Sequence, residues 1–61
     1  MELLRHIEHF LRDTGMPPSK FGRLAVRDPR LVRDLRNGRE PRLPMQRRVV
    51  RYMTRYLEHR A

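Results

Sequence analysis

The side chains best suited to specific chemistry fall in one short stretch, from Asp28 to Asn37. At about 100° per residue, a helix over this stretch places Val32 and Leu35 on one side. The polar residues of the stretch share the opposite side, namely Asp28, Arg30, Arg33, Asp34 and Asn37. Arginine suits guanine O6 and N7, asparagine suits adenine N6 and N7, and aspartate can accept a hydrogen bond from cytosine N4. This face therefore predicts contacts with the base edges of double-stranded DNA, made by Arg30, Arg33, Asp34 and Asn37.

Residues around that face offer contacts to the phosphate groups of the same partner. Basic and hydroxyl side chains bind phosphate oxygens and fix the position of a protein on a duplex. Arg36 lies on the flank of the predicted helix, a position that favours contact with a phosphate over contact with a base. The predicted phosphate-contacting residues are Ser19, Lys20, Arg27, Arg36, Arg39 and Arg42.

The charge of the whole chain agrees with a polyanionic partner. The 61 residues include 15 Lys and Arg against 7 Asp and Glu, for a net charge of +8, and every basic residue except Lys20 is Arg. The planar guanidinium binds phosphate and guanine through two hydrogen bonds at once. Residues 20–55 hold twelve basic and three acidic residues, net +9, whereas residues 1–19 hold two and three, net −1. The polyanion-binding surface is therefore expected in residues 20–55.

Two helices are predicted before the polar stretch. Apolar residues recur at steps of three and four near the N-terminus, which indicates a first helix over residues 2–13. Gly15 is predicted to stop it, because glycine readily adopts the left-handed conformation that closes a helix. Pro18 suits the first turn of a second helix, over residues 18–26. Its apolar face comprises Phe21, Leu24 and Ala25.

Two further helices complete the predicted fold. Asp28 and Pro29 open a third helix over residues 29–36, because aspartate caps free amide groups and proline has a suitable fixed φ. Apolar residues at steps of four predict a fourth helix over residues 44–58. Its apolar face comprises Met45, Val49, Met53 and Leu57, with Val50 and Tyr56 beside them. The intervening Pro and Gly residues leave no room for a strand. The predicted fold class is all-α, a compact four-helix domain formed by residues 1–61; a chain this short builds one small core, which excludes a two-domain enzyme.

The segment TGMPPSKFGRLAVRDPRLVRDLRNGREP, residues 14–41, resembles the helix-turn-helix DNA-binding domains of the phage repressor and Cro class. The matching positions are Gly22 where the two helices cross, Ala25 before the turn, Asp28 and Pro29 at the start of the second helix, Val32 and Leu35 in its core, and Asn37 and Gly38 at its end. Val26 stands where the family usually has a turn glycine, so the turn is expected to be longer or differently shaped. The resemblance implies that the predicted third helix is a recognition helix, which enters the major groove, and that the first and fourth helices flank the motif.

Other chemistry is less favoured by the residue types. His6 and His9 lie three residues apart, and His59 is remote from both. Asp13 is expected on another face of the first helix, so no metal site is predicted. The chain has no cysteine, which excludes disulfides and thiolate sites. Its carboxylates occupy polar-face or cap positions without a cleft, so neither catalysis nor a cofactor is expected.

Aromatic and basic residues of the predicted fourth helix each have more than one possible role. Tyr52 and Tyr56 are one helical turn apart and are expected at the edge of the core, with stacking on bases or burial against a partner as alternatives. Four arginines form a basic stripe that either contacts phosphate or faces solvent, and the sequence leaves both roles open. They are Arg47, Arg48, Arg51 and Arg55.

The sequence therefore predicts a bacterial or phage transcriptional regulator that binds double-stranded DNA sequence-specifically. A homodimer through the first or fourth helix and a second regulatory protein are open alternatives as partners. A nucleoid-type or accessory DNA-binding protein with little sequence preference is an alternative function, and an RNA-binding or ribosome-associated protein is another. Charged residues interrupt the apolar N-terminal stretch, so neither a signal peptide nor a membrane span is predicted. We expect a cytoplasmic, nucleoid-associated protein without a membrane partner.

Overall fold

Four α-helices joined by short turns form the fold, and no strand occurs in residues 2–59, the part that the computed structural model describes. The helices are α1, Leu3–Thr14; α2, Pro18–Val26; α3, Leu31–Arg36; and α4, Leu43–His59. The all-α fold class is therefore confirmed. The predicted limits of α1, α2 and α4 agree with the structure to within one residue. None of these helices is both long and apolar enough to cross a membrane.

Local hydrogen bonds end α1 and redirect the chain toward α2. Gly15 adopts the left-handed conformation, with φ of 71°, and its N–H donates to the carbonyl of Leu11 at 2.9 Å. The hydroxyl of Thr14 donates to the carbonyl of Phe10 at 2.8 Å and accepts from the N–H of Met16 at 3.2 Å. Gly15 is therefore the helix stop that the sequence predicts.

The third helix begins at Leu31, so the predicted start at Pro29 is wrong. Oδ1 of Asp28 accepts a hydrogen bond from the N–H of Arg30 at 3.0 Å, as its predicted capping role requires. The carbonyl of Asp28, however, accepts from the N–H of Leu31 at 3.1 Å. A hydrogen bond from the N–H of residue i+3 to the carbonyl of residue i closes a turn, whereas an α-helix has this bond from residue i+4. Pro29 and Arg30 consequently form a turn that precedes α3.

All four helices contribute to one apolar core. The buried residues are Leu3, Ile7, Phe10, Leu11, Phe21, Leu31, Val32, Leu35 and Val49. Leu31 is a core residue that the sequence interpretation did not include. The ring centroid of Phe10 lies 5.3 Å from that of Phe21 and 5.2 Å from that of Tyr56. The ring centroids of Tyr52 and Phe21 are 5.6 Å apart. Both tyrosines are half-buried, so their predicted place at the edge of the core is confirmed.

Two leucines predicted on apolar helix faces are exposed instead. Leu24 is 48% exposed and Leu57 is 51% exposed. The buried face of α2 is centred between Phe21 and Gly22, and Leu24 lies roughly 110° around the helix from that centre. Leu57 lies near the end of α4, at the rim of a groove between α1 and α4.

Candidate nucleic-acid interface

Gly22 of α2 lies against the turn that precedes α3. A β-carbon at this buried position would overlap the carbonyl oxygen of Asp28 and would lie 3.1 Å from Cβ of Leu31. The N–H of Asp28 also donates to the carbonyl of Gly22 at 3.1 Å. Backbone contact through a residue without a side chain thus holds the beginning of α3 against α2.

An arginine with a left-handed backbone conformation ends α2 and begins the connection to α3. Arg27 has φ of 58° and ψ of 34°, and its N–H donates to the carbonyl of Arg23 at 3.0 Å. Val26, where a turn glycine was sought, is still part of α2. The left-handed position falls one residue later, and the connection comprises residues 27–30.

The predicted base-contacting residues lie on or beside the exposed face of α3. Arg30, Arg33 and Asn37 are exposed, and Asp34 is half-buried. Leu31, Val32 and Leu35 face the core on the other side. Within residues 2–59, no carboxylate lies within 4 Å of the guanidinium group of Arg30 or Arg33. Both groups can therefore bind an external acceptor without first breaking an ion pair.

Asp34 belongs to a small ion-pair network centred on Arg39. Nη1 of Arg39 lies 3.3 Å from Oδ2 of Asp34 and 3.3 Å from Oδ2 of Asp28. The backbone N–H of Arg39 donates to the carbonyl of Asp34 at 2.9 Å, which fixes the arginine beside the end of α3. Arg39, predicted to contact phosphate, is thus shared between two carboxylates of its own chain and offsets part of their charge.

A second internal ion pair joins α3 to α1. Nε and Nη2 of Arg36 donate to the two carboxylate oxygens of Glu8, each at 2.7 Å. These hydrogen bonds lower the pKa of the Glu8 carboxyl below its ordinary value and raise the pKa of Arg36. Arg36 was also predicted to contact phosphate, whereas in the structure its guanidinium joins α3 to α1 through Glu8. Glu8 had no predicted role, because the two residues are 28 positions apart and no sequence spacing joins them.

The other predicted phosphate-contacting residues remain at the surface. Ser19 and Lys20 are exposed in the first turn of α2, Arg27 is exposed in the turn that follows it, and Arg42 is exposed just before α4. In the described part of the chain, none of these three basic residues forms an ion pair.

The histidines provide no metal centre among the described residues. No group of three or more His, Cys, Asp or Glu side chains converges in residues 2–59. Nε2 of His9 lies 3.4 Å from Oδ2 of Asp13, so the expectation that Asp13 faces away is wrong. Residues four apart on a helix lie on the same side, which explains the contact.

The structure divides the basic stripe of α4. Arg48, Arg51 and Arg55 line a groove between α2 and α4, and Arg47 is exposed outside it. Tyr52 also lines this groove, and partial burial raises the pKa of its hydroxyl. Sequence spacing does not predict this separation, because Arg47 is four residues from Arg51 and is therefore expected on the same side of the helix.

No protein-family model matches the chain, and comparison with curated proteins and with solved structures finds no similar protein. The function is therefore inferred from the arrangement of the chain's own side chains.

Proposed function

We propose that the chain binds double-stranded DNA sequence-specifically and regulates transcription. In this proposal α2, residues 27–30 and α3 form a helix-turn-helix unit, and α3 is the recognition helix in the major groove. The observation that carries the proposal is the pair of exposed arginines, Arg30 and Arg33, on the side of this unit that faces away from the core.

The dimensions of this face fit the proposed partner. An α-helix with its side chains is about 10–12 Å in diameter, and the major groove is about 12 Å wide, so α3 can enter it. Arg30 immediately precedes α3, and its carbonyl already accepts the helical hydrogen bond from the N–H of Asp34, so Arg30 and Arg33 are separated by about 4.5 Å along the helix axis. This separation is comparable to the roughly 3.4 Å between stacked base pairs. The two guanidinium groups can therefore reach neighbouring base pairs.

The internal ion pairs support DNA binding electrostatically. Carboxylates near the proposed interface would repel phosphate groups if they were unpaired. Arg36 pairs with Glu8, and Arg39 is shared between Asp28 and Asp34, so two arginines offset most of the charge of three carboxylates. We assign both arginines this supporting role. Phosphate contacts then fall to the exposed residues around the unit, which are Ser19, Lys20, Arg27 and Arg42.

Residue variety on the α3 face favours a sequence-specific protein over one that coats any DNA. The face combines arginine with Asn37 and Asp34, and these three side-chain types suit the base edges of guanine, adenine and cytosine, respectively. A uniformly basic surface would be sufficient for binding without sequence preference. We place this activity in the cytoplasm, at the nucleoid.

Selection from a pool of random DNA duplexes tests the proposal. We expect the unchanged chain to enrich one motif, because base contacts discriminate between sequences. A variant carrying Arg30→Ala and Arg33→Ala is expected to lose that enrichment. A matched control carrying Arg5→Ala and Arg47→Ala loses the same charge from exposed positions outside the unit and is expected to keep it. Recovery of no motif, or displacement of the duplex by less RNA than competitor DNA, would contradict the proposal.

A further inference from the structure

A basic groove lies between α2 and α4 and contains no residue of α3. It is an open groove of about 220 Å³, defined by Leu24 and Ala25 of α2 and by Arg48, Arg51, Tyr52 and Arg55 of α4. None of these six residues belongs to the proposed DNA-contacting set. The basic groove therefore needs an explanation of its own.

Its charge is unbalanced among the described residues. No carboxylate of residues 2–59 lies within 4 Å of Arg48, Arg51 or Arg55. Residues 43–57 of α4 contain no acidic residue at all. The spacing of three and then four residues places the guanidinium groups on one side of the helix over about 10 Å. Three neighbouring like charges favour an anionic partner that extends along α4.

The apolar wall of the basic groove decides what kind of anion fits. Leu24 is 48% exposed and Ala25 is half-buried beside it, opposite the arginines. A sugar-phosphate backbone would leave the leucine side chain without an apolar contact, whereas a protein segment can bury it. Arginine and tyrosine are also enriched in protein–protein interfaces, and Tyr52 lines the same groove.

We propose that the basic groove binds an acidic amphipathic segment of a partner protein. That segment carries two or three carboxylates distributed over about 10 Å, each paired with one arginine, and an apolar side chain that packs on Leu24. Because the groove and the α3 face share no residue, this binding does not depend on the proposed DNA contacts.

Selection from displayed random peptides of about twelve residues, roughly 18 Å as a helix, tests the proposal with the full chain as bait. The enriched peptides are expected to combine at least two Asp or Glu residues with an apolar residue. Each is then synthesised together with a scrambled peptide of identical composition, and both affinities are measured by fluorescence anisotropy. Absence of enrichment, or equal binding of the scrambled peptides, would overturn the proposal, since general attraction to a basic chain ignores order.

Two matched pairs of variants locate the binding. Arg51→Gln should weaken the enriched peptide about three- to tenfold, and Arg47→Gln, the same change outside the groove, should leave its affinity unchanged. Leu24→Ala should also weaken it, whereas Leu57→Ala should not. The two leucines are similarly exposed, so neither replacement disturbs the core. Equal effects within either pair would place the peptide elsewhere and overturn the proposal.

Direct binding of other anions separates a protein partner from a phosphate-containing one. Binding of duplex DNA and of vesicles of anionic lipid is measured with the Arg51→Gln and Arg47→Gln variants. We expect neither anion to require Arg51, so the two substitutions should change the affinity for each anion equally. If Arg51→Gln selectively weakened DNA or vesicle binding, the basic groove would be a phosphate-binding surface, and the proposed protein partner would be wrong.

Discussion

Arg39 lies where one guanidinium nitrogen reaches the carboxylates of Asp28 and Asp34, 3.3 Å from each. One carboxylate caps the turn before α3, and the other lies in α3 itself. Loss of this guanidinium would leave two unbalanced negative charges beside the proposed DNA interface. The role of Arg39 is therefore expected to depend on the presence of these acids, unlike that of an independent phosphate ligand.

A double-mutant cycle distinguishes these roles of Arg39. Arg39→Ala should weaken binding to random-sequence duplexes, and Asp34→Asn should then restore part of the loss. The same Asp34→Asn change should have a smaller effect when Arg39 is present, with a coupling energy of about 0.2–1 kcal/mol for such an exposed pair. Fluorescence anisotropy at constant salt measures all four affinities. If the effect of Asp34→Asn were the same in both backgrounds, the charge-balancing role would be wrong.

Residue roles that depend on local chemistry could be predicted from the sequence, whereas ion pairs between residues far apart in the chain could not. The capping of Arg30 by Asp28 and the stop at Gly15 involve neighbouring residues, and both occur as predicted. The pairing of Arg36 with Glu8 depends on the packing of α1 against α3, which no spacing in the sequence indicates. The assignment of Arg36 and Arg39 to phosphate therefore overlooked acids that the fold brings within reach.

At the scale of elements, the junction between α2 and α3 depends on the missing side chain of Gly22. At an ordinary helix position, Gly→Ala gains about 1 kcal/mol through helix propensity. Here the new β-carbon would overlap the carbonyl oxygen of Asp28, so we expect Gly22→Ala to lower the free energy of unfolding by roughly 1–3 kcal/mol. Urea denaturation measures the change. Arg23→Ala, at the exposed neighbouring position, is the control and should be nearly neutral; an increase in stability for Gly22→Ala would contradict the close approach.

The ion pair between α1 and α3 makes the stability of the fold depend on pH. The hydrogen bonds from Arg36 lower the pKa of Glu8 in the folded chain, so the carboxyl is more acidic folded than unfolded. The pair therefore stabilises the fold above the unfolded pKa of about 4.3, and this contribution is lost as the pH falls through the lower folded pKa.

Thermal denaturation of Glu8→Gln at several pH values tests this linkage. The variant should melt below the unchanged chain at neutral pH, and the difference should vanish under strongly acidic conditions, where both chains carry a neutral group. Glu40→Gln, an exposed acid outside the pair, should show no such convergence. A constant difference across the pH range would mean that Glu8 acts through packing instead of charge.

Periodicity predicted the elements better than it predicted their exposed faces. It gave the limits of α1, α2 and α4 to within one residue, because each has a repeating apolar pattern and a clear stop or start. It placed Leu24 on the apolar face of α2, whereas contact at Gly22 turns that side chain outward. The start of α3 was also predicted too early, because the carbonyl of Asp28 is committed to a turn.

At the scale of the whole molecule, the acidic and basic segments of the chain contact one another, and the arginines without an acidic partner lie on two surfaces. Residues 1–19 have a net charge of −1, and their Glu8 balances one arginine of the strongly basic remainder. The arginines without an acid partner in the described region include two at the α3 face and three in the basic groove. We therefore expect two separate anion-binding surfaces on one small helical scaffold, one for DNA and one for an acidic protein segment.

The most direct test of the central claim, that the α3 face contacts bases, compares one variant on two duplexes. Arg33→Ala is measured against the motif recovered by selection and against a random duplex of equal length, at the same salt concentration. The account predicts a loss of about 1–3 kcal/mol on the selected motif and a much smaller loss on the random duplex, because a base contact discriminates between sequences and a phosphate contact does not. Equal losses on the two duplexes would contradict it.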